Sequence, residues 1–156
     1  MAMSVRVSTL SDQRSTGPLR PRPLFSFLVT AHKHVRTETG LFDVSHMLQH
    51  IFTGPSSLPF LSSLCPSSLS SLAPYTSTLS VLLNEEGGII DDMIVTRHGD
   101  DGNGGERFYV VTNAGRAKED VAWITKKLEE WNALQGKGKE VKWEKLEGYG
   151  LVALQG

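Results

Sequence analysis

Cysteine is almost missing: Cys65 is the only one in 156 residues, which excludes an intrachain disulfide framework and a cysteine cluster for structural zinc. That usage suits a reducing compartment. Long apolar runs are missing too, since none approaches the roughly 20 residues that span a bilayer. The longest in the N-terminal part, Leu24 to Ala31, is preceded by 23 residues, a poor fit to the short charged start of a secretory signal. An excess of charge is lacking as well. Sixteen Lys and Arg against 17 Asp and Glu leave a net charge of −1, which argues against a whole-chain nucleic-acid binder. No glycine-rich phosphate cradle is present, because Gly87-Gly88 leads into a strand pattern rather than a helix N-terminus.

What is present is enough for one domain with a tail: 39% hydrophobic and 21% charged residues supply a core and a solvated surface. The near-neutral total hides an asymmetry. Residues 1–36 carry six basic residues against Asp12 alone, whereas 37–156 carry ten basic and 16 acidic ones. The basic head includes three prolines between Gly17 and Pro23 and has no sustained period, so no regular structure is expected before about residue 40. Residues 1–35 are thus read as a poorly ordered segment, either a mitochondrial transit peptide or a mis-assigned N-terminus.

Beyond the head, periodicity predicts an α+β domain with a mainly antiparallel sheet and helices packed on it. Leu41 to Met47 alternates as an entering strand. Ser56 to Leu72 is half serine in its first 16 positions, the mark of a flexible linker, yet its leucine spacing predicts two short helices broken at Pro66. Thr78–Leu83, Ile89–Thr96 and Arg107–Thr112 predict a three-strand meander, with a long glycine-rich hairpin loop from His98 to Glu106. Val121, Ile124, Leu128 and Trp131 define one helix face, with Asp120 near the start and Gly136 past the end. Val141–Trp143 and Leu151–Leu154 predict two last strands across Glu147–Gly150.

Among residues that carry chemistry, Asp91-Asp92 is the most informative pair. It interrupts an otherwise apolar strand, and alternation sends the two carboxylates to opposite faces. Asp92 shares its side with Ile90 and Ile94, where a carboxylate costs about several kcal/mol unless it finds donors, a metal or a cationic ligand. A bulge or turn with both acids solvated is the alternative. Tyr109, Val111 and Asn113 occupy alternate positions and hence one face; their mixture of aromatic, aliphatic and amide suits a flat heterocycle, or else a half-buried strand ending in a turn. His46 and His50 are four apart, but Met47 stands where a helical zinc-protease motif needs Glu, so no metal site is expected. Cys65 reads as packing rather than as a nucleophile.

The stretches Leu41-Phe-Asp-Val-Ser-His-Met47, Leu83-Asn-Glu-Glu-Gly-Gly-Ile-Ile-Asp-Asp-Met-Ile-Val-Thr96, Phe108-Tyr-Val-Val-Thr-Asn-Ala-Gly115 and Leu151-Val-Ala-Leu-Gln-Gly156 resemble, in order and spacing, the aminomethyltransferase family, the T-protein of the glycine cleavage system. The wording is similar to fungal mitochondrial members. The resemblance implies a folate-binding domain over 36–156, incomplete at both ends relative to the family and expected to be inactive alone. The reaction implied is transfer of the methylene of an aminomethyl-lipoyl H-protein to tetrahydrofolate, with release of ammonia. It implies Asp92 as the catalytic carboxylate, and Met47, Leu79, Tyr109, Val111 and Asn113 as folate contacts. It further implies lipoylated H-protein as partner, tetrahydrofolate as acceptor without a metal, no nucleic-acid or membrane partner, and the mitochondrial matrix as location. Two alternatives stay open: a non-catalytic folate-binding module, and the folate domain of a demethylating dehydrogenase relative, whose nucleotide-binding fingerprint is not found here.

Overall fold

The structure, a computed structural model, describes residues 24–156, with side chains from Leu28 onward. Leu24–Thr37 forms a helix, α1, in a stretch where no regular structure was expected; the rest of the basic head lies outside the described residues. Residues 41–154 form a compact unit of their own. Its centre is a five-stranded sheet in the order β3-β4-β5-β2-β6, built from β2 (Leu48–Thr53), β3 (Thr76–Leu83), β4 (Ile89–Asp100), β5 (Glu106–Thr112) and β6 (Lys142–Lys145). Every pairing in it is antiparallel. A separate two-stranded sheet joins β1 (Gly40–Asp43) and β7 (Val152–Gln155).

The β3-β4-β5 meander follows the predicted order. Two features differ from expectation. Leu48–Thr53, which carries no clean alternation, is a strand, and it sits between β5 and β6. Ile51 and Phe52 are both buried although they point to opposite faces, so the strand is covered on both sides and its pattern loses its period. The last two strands do not form a hairpin: β6 pairs with β2 and β7 with β1.

Within residues 41–154, helices cover one face of the sheet. The serine-rich stretch is not a linker: Ser57–Leu64 is a helix, α2, followed by a 3-10 turn at Leu69–Ser71. Phe60, Leu61, Leu64 and Leu69 are buried, and Phe60 packs between Phe52 and Trp131 with ring centroids 6.0 and 5.7 Å apart. Buried Cys65 belongs to the same cluster. Helix α3 (Ala117–Leu134) lays Ile124, Leu128 and Trp131 on this core, the face that the spacing predicted.

The long hairpin loop is tucked rather than free. Asp101 accepts backbone N–H bonds from Gly54, Asn103 and Gly105 at 2.8–3.0 Å. Gly105 lies so close to the Gly54 carbonyl group that no Cβ fits there. At the same end, Arg97 makes a bidentate pair with Glu106 at 2.9 and 2.7 Å and donates to the Leu72 carbonyl at 2.8 Å. Arg97→Met should therefore lower stability by about 1–2 kcal/mol, since the fork is replaced by an apolar stem and the Leu72 carbonyl is orphaned. Urea unfolding measures this, and a change near zero would show that the clip is solvated.

Candidate active site

The face of the sheet opposite the helices carries the site. Strand register places Leu79, Ile94, Val111 and Gln49 in one cross-strand row, and Ser77, Thr96, Tyr109, Ile51 and Glu144 in the next. Asp92 faces the same way, paired with Val81. Gln49, Ile51 and Val111 are buried in spite of facing this side, and the Gln49 amide donates to the Tyr149 carbonyl of the segment after β6 at 3.1 Å. Toward β3 the face opens, with Leu79 69% and Ile94 42% exposed. It is an apolar floor, shielded at one end, with a carboxylate set into it.

Alternation separates the two aspartates as expected, and both sit in the β3–β4 ladder rather than in a solvated turn. Asp92 is exposed on the site face; Asp91, paired with Leu82, is 8% exposed on the core face. The register shift lies one step away, between Leu82 and Leu83. Asn113, just past the end of β5, holds both acids. Its backbone N–H donates to Asp91 Oδ2 at 3.0 Å. Its side-chain nitrogen donates to Asp91 Oδ1 at 3.0 Å and to Asp92 Oδ1 at 2.9 Å. With both amide hydrogens so used, the amide oxygen is the group left to accept from a ligand. Burial alone would raise Asp91, but the Asn113 side-chain and backbone donors and the Asp120 carboxyl outweigh it and hold Asp91 below the usual carboxylate range. Asp91 is ionised and structural, not the solvated bystander of a turn.

Of the six sequence-predicted contacts, Leu79, Asp92, Tyr109, Val111 and Asn113 come together on this face. Met47 sits half-buried in the bend entering β2, one residue before the strand and two before Gln49. The Tyr109 hydroxyl donates to Gln49 Oε1 at 2.8 Å, and its ring stacks on His98 at 6.0 Å. Burial raises Tyr109 above the ordinary tyrosine range, so it stays a neutral donor.

The two histidines separate. His46 is exposed, whereas His50 is fully buried on the core face. Trp143 Nε1–H donates to His50 Nδ1 at 3.3 Å, so Nε2 carries the ring proton, 3.2 Å from Thr112 Oγ1. Burial first, and then Lys145, push His50 down to about 4. Among the described residues no group of three or more His, Cys, Asp or Glu is arranged to hold a metal.

Sequence reasoning missed Gln49, because β2 was not seen as a strand. It also missed Asp120, whose place in the first turn of α3 reads as an ordinary helix-dipole acid. Asp120 is 0% exposed.

These features define the class: an α+β domain whose antiparallel sheet is packed by helices on one face and presents an acid-bearing apolar surface on the other. The chain belongs to the family described as GCVT N-terminal domain, which it matches over residues 10–156. It is 42% identical over 128 residues to the mitochondrial aminomethyltransferase of Saccharomyces cerevisiae, covering 82% of this chain and 30% of the yeast protein. To the mitochondrial aminomethyltransferase of Homo sapiens it is 40% identical, covering 81% of this chain and 29% of the human protein. The fold is similar to the crystal structure of glycine cleavage system aminomethyltransferase T from Bartonella henselae, with a TM-score of 0.66 and 38% identity over 82% of this chain and 32% of that one. The chain thus spans about 30% of the length of the curated relatives it matches.

Proposed function

We propose that this chain supplies the folate-facing sheet and the catalytic carboxylate of a glycine cleavage aminomethyltransferase, acting in the mitochondrial matrix. In that reaction the methylene carried on the lipoyl arm of H-protein passes to tetrahydrofolate, ammonia leaves, and dihydrolipoyl H-protein remains. The observation that carries the reading is Asp92, an exposed carboxylate among apolar neighbours, with one oxygen held by Asn113 and the other directed to no donor among the described residues. A fixed carboxylate at that place stabilises positive charge developing on the folate nitrogens as the methylene is transferred. Leu79, Val111, Met47 and the Tyr109 ring supply apolar surface for a flat heterocycle, and the Asn113 amide oxygen accepts from its edge.

The openness of the face at Leu79 and Ile94 favours a second reading, in which these residues bind folate without turnover. Two measurements on the 156-residue chain separate the readings: calorimetric titration with tetrahydrofolate, and ammonia release from aminomethylated H-protein. Binding with release supports the transferase, binding without release supports the module, and no binding removes both. Within either reading, Tyr109→Ala should weaken tetrahydrofolate by about 1–3 kcal/mol, the range for base-on-aromatic stacking. Unchanged affinity would take Tyr109 out of the site.

A further inference from the structure

Asp120 has no place in the reading above, yet it is fully buried, and neither carboxyl oxygen receives a well-aligned donor among the described residues. An ionised carboxylate in that position costs several-fold more than a hydrogen bond returns, whereas a protonated one is itself a donor. Its neighbours settle which it is. From β4 the ionised Asp91 carboxylate adjoins it and from β5 the Thr112 hydroxyl, while the Arg116 guanidinium in the turn before α3 acts on it through its charge. His50, on β2 behind Thr112, is neutral. Burial and the Asp91 charge raise Asp120 to about 7, beyond what Thr112 and Arg116 offset. A carboxyl that is fully buried and receives no well-aligned donor is held protonated, and the Asp91 carboxylate beside it is the acceptor at hand for that proton. Asp91 in turn receives both Asn113 donors, and the second amide hydrogen of Asn113 goes to Asp92. The contacts run in one line, from the first turn of α3 through the sheet to the opposite face.

We infer that Asp120 is a positioning residue for Asp92, acting through the Asp91 carboxylate and the Asn113 amide. The proton between Asp120 and Asp91 keeps Asp91 in the rotamer that grips Asn113 by both nitrogens. That grip fixes the amide with its nitrogen toward Asp92 and its oxygen toward the site. Without the proton, two like charges face each other in the core, Asp91 turns away, and Asn113 is free to flip. The functional meaning of this line rests on the reading of Asp92 as the folate-facing carboxylate, but the coupling itself does not need the ligand.

The test is nuclear magnetic resonance on the ligand-free 156-residue chain, following the side-chain amide signals of Asn113 and the carboxyl carbons of Asp91, Asp92 and Asp120. In the unaltered chain the Asn113 amide signals should shift with pH at the same midpoint as the Asp120 carboxyl. In Asp120→Asn, whose amide donates to Asp91 at every pH, the Asn113 signals should keep their low-pH positions and lose that titration. In Asp120→Ala they should move toward free-amide positions, with a shift at Asp92. Asn113 signals that stay flat while Asp120 titrates would overturn the inference, and this observation needs no variant to fold. So would Asn113 signals that move toward free-amide positions in Asp120→Asn as far as in Asp120→Ala. A chain that couples these groups yet fails to bind tetrahydrofolate refutes the functional reading alone.

Discussion

Asp91→Ala should unfold more easily than the unaltered chain by about 3 kcal/mol, with the melting temperature lower by roughly 10 °C. Asp92→Ala should leave the melting temperature nearly unchanged and weaken tetrahydrofolate roughly 10- to 150-fold, the range for a hydrogen bond to a charged group. Adjacent identical residues thus have opposite roles. Asp91 is buried, takes two Asn113 donors and adjoins the Asp120 carboxyl, so its removal leaves Asp120 alone in the core and the two Asn113 donors without Asp91 at its edge. Asp92 is exposed, and its loss frees a single amide hydrogen at the surface. Thermal unfolding and calorimetry together check the pair. Equal destabilisation by both changes would mean that the faces are misassigned, and unchanged folate affinity in Asp92→Ala would sink its role.

The second large effect concerns pH, and two buried groups oppose each other in it. Asp120 moves from 3.8 up to about 7 on folding, so the folded state holds a proton that the unfolded chain has lost. Its contribution is complete below pH 3.8 and disappears as pH rises through 7. His50 moves from 6.5 down to about 4, so its contribution is complete above pH 6.5 and disappears as pH falls through 4. Between pH 4.5 and 6.5 the two slopes, each about 1.4 kcal/mol per pH unit, have opposite signs and largely cancel. His98, lowered by burial and by Arg107, adds to the histidine side near the upper end. Urea unfolding across that window should give a shallow dependence in the unaltered chain. Asp120→Asn should become more stable as pH rises, and His50→Gln less stable. Parallel slopes in the two variants would show that one of these groups is not buried in the state assigned here.

The opposition of Asp91 and Asp92 was legible in the sequence because strand alternation is local: two neighbours on a strand point apart whatever surrounds them. The same holds for the α3 face through Ile124, Leu128 and Trp131, and for the gathering of Tyr109, Val111 and Asn113. The helix pair at Ser57–Ser71 was legible too, since leucine spacing outweighed a serine content that suits a linker. Leu48–Thr53 was not, because a strand covered on both faces keeps no alternation to read, and its Gln49 was lost with it. Nor does any local pattern tell which face of a sheet will be covered. That was decided when α3 packed over β4, putting Asp91 and Asp120, 29 positions apart in the chain, into one buried contact. The sequence by itself determined which residues share a side; the tertiary structure decided which side is dry, and with it which aspartate is ionised, which is protonated, and which is left for a ligand, because a carboxylate's charge is set by the water and donors that packing leaves around it.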